Sequence, residues 1–202
     1  CISLTKLDIK NFETEKVIDM SYMFANCSNI DILELSSTKF DTNEVTNMEY
    51  MFYNCSKLKE ISIDNFSTSK VQNMRYMFAF GTSLNSLNFA YFDTSSVEDM
   101  QGMFKHCESL MNLDISTFDS SKVNNTQSMF ESCIKLSTIK LDETKFDTSI
   151  VTNMEYMFSN CNKLISLDVS FFKTESVTNM KYMFFSCKIL PVIEVVQFDT
   201  SK

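Results

Sequence analysis

The chain has 202 residues and a formal net charge of −8, from 18 Lys and Arg against 26 Asp and Glu. This balance argues against sequence-independent binding to nucleic acid or to anionic lipid, because both need clustered basic side chains. No apolar run approaches the roughly 18 residues that cross a bilayer, so we expect no direct membrane insertion by this segment.

A phrase that ends in Met-Phe recurs along the whole chain, at spacings of 26 or 28 residues. The seven pairs are Met23-Phe24, Met51-Phe52, Met77-Phe78, Met103-Phe104, Met129-Phe130, Met157-Phe158 and Met183-Phe184. A fixed period between about 20 and 50 residues indicates stacked supersecondary units. The sequence therefore predicts a repeat protein, and each unit is called a rung below.

The chain begins and stops within a rung, and neither end has the polar capping unit that closes a repeat array. We therefore expect one solenoid domain over residues 1–202, with about seven repeats of 26–28 residues. We expect it to be uncapped at both ends and to be a segment of a longer protein.

Each rung contains a predicted strand with the pattern Cys-x-x-Leu-x-x-Leu-x-Leu, as in residues 27–35. Its last three positions alternate apolar, polar and apolar, which is the period of a strand with one buried face. Stacked strands of this kind form a parallel sheet, because the rest of the rung supplies the crossover. The polar position forms an outward column: Asp8, Glu34, Ser62, Asn88, Asp114, Lys140, Asp168 and Glu194.

A turn follows the strand, with a Phe, a Thr or Ser two residues later and a Val five residues later, as in Phe146, Thr148 and Val151. A hydroxyl at one place in every rung is expected to bond to the backbone of its own turn or of the next rung. The Val predicts a very short second strand or an extended corner.

A short helix is predicted next. The residue before its first apolar position is always Asp or Asn, as in Asn47, and these residues are favoured helix N-caps. Met48, Met51, Phe52 and Cys55 then fall at i, i+3, i+4 and i+7. This spacing places them on one stripe of a helix of about two turns.

The strand pattern is a leucine-rich-repeat motif, and the phrase FDTSxVTNMxYMFxxC resembles the BspA-like leucine-rich-repeat surface proteins. Gly81, Thr126, Gly102 and Ser128 depart from the repeat columns. The predicted fold is a right-handed α/β solenoid of leucine-rich-repeat type, with a parallel sheet on one side and short helices on the other. The resemblance implies a cell-surface or extracellular protein that functions in adhesion or protein binding without catalysis.

The cysteines share one column and include no closely spaced pair of the kind that binds metal, so we expect buried thiols and no metal. The only histidine, His106, is interpreted as an exposed surface residue. The chain has no singular set of nucleophile, base and orienting group. We therefore expect no enzyme activity and no cofactor.

Two columns are candidate binding residues. The first is the charged part of the outward strand column: Asp8, Glu34, Asp114, Lys140, Asp168 and Glu194. It is either a solvated surface or an acidic recognition face, since solenoids present their sheet as a binding surface. The second is a Tyr column opposite the Met-Phe stripe: Tyr22, Tyr50, Tyr76, Tyr156 and Tyr182. These rings are expected either to face outward, as at interfaces, or to pack on the adjacent rung.

Two rungs carry two extra residues at one corner, in residues 36–39 and 142–145. Insertions in solenoids often lie on the binding face. The sequence as a whole favours a non-catalytic recognition or adhesion module that binds a protein or a glycan. The alternative is a structural unit of an extracellular filament, coat or surface assembly, in which copies of the chain bind one another.

Overall fold

The computed structural model describes residues 2–9, 11–35, 39–199 and 201. Its strands are β1 Ile32–Glu34, β2 Glu60–Ser62, β3 Asn112–Asp114 and β4 Thr138–Lys140. β1 pairs with β2 and β3 pairs with β4, both in parallel, with Leu33 opposite Ile61 and Leu113 opposite Ile139. Each pair joins the strand of one rung to the equivalent strand of the next rung, as predicted. The described part of the chain contains no helix able to cross a membrane.

The sheet is interrupted between β2 and β3, at the rung of residues 84–89. Phe89 stands where the other rungs have Leu, Ile or Val, and its buried ring packs edge-on against Phe78 and Phe104. The expectation of one sheet through every rung is wrong: the described residues form two two-stranded sheets, and beyond β4 a single bridge from Thr138 to Ser166 continues the column.

The predicted short helix is also wrong: among the described residues, these segments are consecutive turns. Every second amide donates three residues back within its own rung; in the second rung these bonds are Met51 to Met48, Tyr53 to Tyr50 and Cys55 to Phe52. The intervening amides donate to the next rung at 2.8–2.9 Å: Met48 to Asn73, Tyr50 to Arg75, Phe52 to Met77 and Asn54 to Ala79. In an α-helix these amides would instead donate to carbonyls four residues earlier in the same segment. We call residues 48–55, and their equivalents in the other rungs, the turn ribbon.

Left-handed backbone at two positions of each turn ribbon prevents a helix. In the second rung Tyr50 has φ 57° and Asn54 has φ 55°. An L-residue in this region does not continue a right-handed helix, and a positive φ at the third residue is what a type II turn requires. Met48, Met51 and Phe52 are nevertheless buried. The apolar spacing therefore predicted the right inward face and the wrong element.

The Asp or Asn before each turn ribbon makes the hydrogen bond expected of an N-cap, but it caps a turn. Oδ1 of Asn47 accepts from the amide of Glu49 at 3.0 Å, and Oδ1 of Asn153 accepts from the amide of Glu155 at 2.9 Å. This geometry is an Asx turn. The same column forms single-residue parallel bridges through every rung from Asp19 to Asn179. A second, minimal ladder thus runs beside the turn ribbons, two residues after the Val column.

The buried Thr column bonds to the next rung. Oγ1 of Thr68 donates to the carbonyl of Asp93 at 2.9 Å and accepts from its amide at 2.8 Å. Thr148 does the same with Lys173, at 2.9 and 2.7 Å. Both Thr residues are only 1% exposed, so water does not compete for these bonds. The expected hydroxyl–backbone bond is confirmed, with the next rung as the partner.

The core is built from columns of identical side chains. Six successive pairs of Phe rings from Phe24 to Phe184 stack nearly parallel, with centroids 5.3–5.9 Å apart. Met columns lie beside them, and Met48 and Met100 are completely buried. Full burial of a Phe or Met side chain stabilises a fold by about 1.5–3 kcal/mol. The chain is rich in Phe and Met because every rung places these two residues at the same core positions.

The thiols belong to this core. From Cys55 onward, each Cys donates to the carbonyl of the Phe column in the preceding rung at 3.1–3.3 Å. Burial raises the pKa of Cys55 and of Cys107 to about 12, so both thiols are neutral. All described cysteines are free, and all except the half-buried Cys187 are buried. The buried-thiol prediction is confirmed for these residues, and Cys1 lies outside them.

We expect Thr68→Val to lower the free energy of unfolding by about 1–3 kcal/mol, because it removes the hydroxyl that bonds to both the amide and the carbonyl of Asp93. Thr68→Ser is the control, since it keeps the hydroxyl, and Ser120 fills this column naturally. Urea unfolding followed by circular dichroism measures both variants. Equal stability of the Val and Ser variants would contradict the role assigned to this hydrogen-bond pair.

Candidate binding surfaces

The outward strand column lies on the solvent side of the sheet. Glu34, Asp114 and Lys140 end β1, β3 and β4 and are exposed, whereas Leu33 and Leu113, one position earlier, are 2% exposed. This is the alternation of a strand with one buried face. The remaining charged members of the column, Asp8, Asp168 and Glu194, are also exposed and lie outside the four strands.

Two carboxylates of this column are fixed by their own turns. Asp114 Oδ1 accepts from the hydroxyl and the amide of Ser116 at 2.6 and 3.0 Å. Asp168 Oδ1 accepts from Ser170 in the same way, at 2.6 and 2.9 Å. These serine hydrogen bonds hold the pKa of both carboxyls below its usual value. Lys140 Nζ lies 3.0 Å from Asp114, so the only basic residue of the column is paired within it.

An open groove of about 380 Å³ lies beside Lys140 and Asp168. Its lining is Ile139, Lys140, Leu141, Glu143, Asp168 and Phe171. Glu143 belongs to the insertion at 142–145, so this insertion lies at the groove; part of the other, residues 36–38, is outside the described residues. Phe171 was missed by the sequence analysis, although a second Phe directly before the repeated Phe172 is a visible departure.

The Tyr column forms two ring stacks. Centroids are 4.7 Å apart for Tyr22 and Tyr50, 5.0 Å for Tyr50 and Tyr76, and 5.0 Å for Tyr156 and Tyr182. Tyr22 and Tyr182 are 56% and 45% exposed, and the other three are half-buried. The structure therefore combines both expectations, because the rings leave the core side and also pack on the adjacent rung. Gly102 and Ser128 separate the stacks.

A further aromatic group extends the first stack and was not predicted. Tyr53 packs edge-on against Tyr50 and Phe80, with centroids 5.1 and 5.3 Å apart. Phe80 stacks on His106 at 4.7 Å, and His106 Nδ1 lies 3.1 Å from Glu108 Oε1. His106 is half-buried, so its interpretation as a simple exposed residue is wrong. Phe80 and His106 break a column that is otherwise Asn or Ser, and this break was the available signal.

Amide side chains link the turn ribbons on the Tyr side. Nε2 of Gln101 donates to Gln127 at 2.9 Å, and Nε2 of Gln127 donates to Glu155 at 3.1 Å. Nδ2 of Asn153 and of Asn179 reach this same chain of acceptors at 3.2 Å. These polar groups satisfy one another along the solenoid. In the described ranges, no group of three or more His, Cys, Asp or Glu could hold a metal ion.

Comparison with known families decides the affiliation of the chain. A family model described as "Mycoplasma protein of unknown function, DUF285" matches residues 2–86, 32–143 and 134–202. The chain belongs to the DUF285 family. A search of the curated proteins found no match to this DUF285 protein. The resemblance to BspA-like proteins holds at the coarser level of leucine-rich-repeat architecture.

Solved structures support that architecture. A leucine-rich-repeat protein of T. pallidum matches with a TM-score of 0.56 and 20% identity, over 90% of this chain and 73% of its own. Matches to leucine-rich-repeat proteins of Bacteroides ovatus and Eubacterium ventriosum have TM-scores of 0.57 and 0.52 and identities of 21% and 18%. They cover 88% and 86% of the DUF285 chain, and 41% and 46% of the matched chains. At this identity the likeness shows the fold alone, a repeat solenoid of leucine-rich-repeat type.

Because the Tyr column has left-handed backbone, we expect Gly to be less destabilising than Ala at its positions. We expect Tyr50→Ala to destabilise the DUF285 protein by about 2–4 kcal/mol, since it removes the stacked ring and keeps the strained φ. Tyr50→Gly loses the same ring but relieves the strain, so it should be less destabilising than Ala by about 1 kcal/mol. Gly102 already fills this column with φ 60°.

The control for that ranking is Glu98, which is exposed and has no positive φ. There Gly should be the worse substitution, by about 0.5–1 kcal/mol relative to Ala. Chemical unfolding of the four variants gives both comparisons. If Gly were worse than Ala at both positions, backbone strain would not be the quantity that the Tyr stack offsets.

Asp99 is expected to cost stability at neutral pH. Burial raises the pKa of Asp99, with the amide of Gln101 and the charge of Arg75 opposing the shift. A carboxyl whose folded pKa lies above its unfolded value loses stability as pH rises from the unfolded value through the folded one. Asp99→Asn keeps an oxygen for the Gln101 amide and should therefore raise the thermal midpoint at pH 7 more than at pH 3.

Asp19 in the same column is the matched control, because the amide of Ser21 lowers the pKa of its exposed carboxyl. Its contribution has the opposite sign: it is present above the unfolded pKa and is lost as pH falls through the folded pKa. Asp19→Asn should thus lower the thermal midpoint at pH 7. The two variants are compared by calorimetry across pH, and shifts of the same sign at pH 7 would refute the assignment.

Proposed function

We propose that the protein is a non-catalytic recognition or adhesion module at the cell surface, which binds a protein or a glycan along the outward face of its sheet. The leucine-rich-repeat architecture supports this role, since solenoids present extended surfaces for binding. The polar side chains recur in columns, whereas catalysis needs a singular set of groups. The surface location is supported by the likeness of the repeat phrase to surface proteins.

The acidic strand column carries the proposal. The lowered pKa values of Asp114 and Asp168 keep both carboxylates charged at neutral pH. Lys140 pairs with Asp114, and no cation among the described residues forms an ion pair with Asp168. Exposed charge of one sign steers and selects a partner of the opposite sign. The proposed partner surface is therefore basic.

A neutralised pair of variants tests this function. Asp114→Asn with Asp168→Asn removes two charges and keeps an oxygen to accept from each serine. The matched control is Glu15→Gln with Glu98→Gln, which removes two exposed charges away from the sheet face. We expect the first pair to weaken binding to an immobilised lysine-rich peptide by roughly tenfold, about 1.4 kcal/mol, and the control to change it little.

Biolayer interferometry at low and high salt measures these affinities, and added salt should reduce the difference between wild type and the first pair. A glycan array read with the same proteins reports the other partner class. Equal affinity of both pairs would remove the acidic face from the proposal. If the sedimentation coefficient of the wild type also rose with concentration, the alternative of a filament, coat or surface assembly would be favoured, with copies bonding through the same inter-rung ladder.

A further inference from the structure

The Tyr22 and Tyr50 rings are placed as near-copies of each other. Their planes differ by 9° and their centroids are 4.7 Å apart. The two residues also have the same backbone conformation, with φ 58° and 57°. The rings are therefore parallel and stacked face to face one rung apart, so a tilt of one ring brings its Cε carbon toward the other ring.

The same pair is held in place and is accessible. The Tyr22 amide donates to the carbonyl of Glu49 at 2.9 Å, and the Phe24 amide donates to Met51 at the same distance, so the backbones on both sides are fixed. Tyr22 is 56% exposed, which leaves its ring open to an oxidant and with space to tilt. Aligned backbones and an exposed ring favour reaction within the chain over reaction between chains.

We propose that Tyr22 and Tyr50 are a site of oxidative dityrosine cross-linking, with hydrogen peroxide and a peroxidase as the oxidant. Each phenol gives up one electron and its hydroxyl proton, and the two phenoxyl radicals join through a new bond between their Cε carbons. The hydrogen on each newly bonded carbon then moves to the phenolic oxygen and restores the ring. The peroxide takes two electrons and two protons and leaves as two waters, so two C–H bonds are replaced by one C–C bond.

The chain supplies a graded comparison and an internal control. Tyr156 and Tyr182 are also stacked, but at 5.0 Å and 24°, with Lys181 Nζ 5.0 Å from the Tyr182 ring centre. We expect this pair to couple less completely. Tyr91 is 71% exposed and contacts no other aromatic ring among the described residues. It should be oxidised readily without forming a bond inside its own chain.

The test treats dilute protein with a peroxidase and hydrogen peroxide, at a dose first shown to convert N-acetyltyrosine amide to its dimer. The monomer is isolated and digested, and the cross-linked peptides are mapped by mass spectrometry alongside dityrosine fluorescence. The expected product is a monomer that is lighter by two hydrogens and joins Tyr22 to Tyr50. Its thermal midpoint should rise, because a cross-link restricts the unfolded chain.

Variants decide between this site and random oxidation. Tyr22→Phe keeps the stacked ring and removes one phenol, so it should abolish this cross-link and leave the unoxidised protein equally stable. Tyr91→Phe should leave the monomer product unchanged. A monomer without dityrosine at the effective dose overturns the proposal. So does a cross-link that joins Tyr50 to Tyr53, or a total yield of dityrosine in the monomer that Tyr22→Phe leaves unchanged.

Discussion

The backbone hydrogen bonds between turn ribbons fix the distance from one rung to the next. Four amides of each of the first six ribbons donate forward at 2.7–3.2 Å, as from Met48 to Asn73 and from Phe52 to Met77. Because these bonds set both spacing and register, side chains of one column stand directly above one another. The Phe stacks, the Thr hydroxyls and the thiol–carbonyl contacts all depend on this alignment. Each apolar column of a rung is therefore buried against the same column of the next rung.

This ladder requires left-handed residues, and their cost explains the side chains found there. A non-glycine residue in this region is unfavourable by roughly 1–2 kcal/mol, and Asn tolerates it better than most. Asn26, Asn54 and Asn160 fill one left-handed column. Tyr does not share this tolerance of Asn for a positive φ. Stacking of each Tyr ring on the rings of adjacent rungs offsets the cost. Gly102 avoids the cost altogether, and the Tyr76 ring lies where its side chain would be.

Periodicity alone predicted the inward and outward columns, the parallel strands, the Thr contacts and the buried thiols. It could not separate a helix from a turn ribbon, because apolar residues at i, i+3 and i+4 face inward in both, and Asn47 begins either one. The positive φ at Tyr50 has no signature in a residue type that normally avoids it. The gap in the sheet at the rung of Phe89 has no local signature either, because Leu84, Leu87 and Phe89 keep the apolar spacing of the strand pattern.

The candidate surfaces differ in how they relate to this framework. Inward columns and left-handed positions are constrained by every neighbouring rung, whereas the outward residues of the sheet contribute little to alignment. Lys140 can therefore stand between Asp114 and Asp168 without disturbing β4, and residues 142–145 can be inserted beside it. Function in such a fold is carried by side chains that the ladder does not need. The departures from the repeat, Phe80 with His106 on one face and Glu143 with Phe171 on another, mark where one solenoid differs chemically from another with the same backbone.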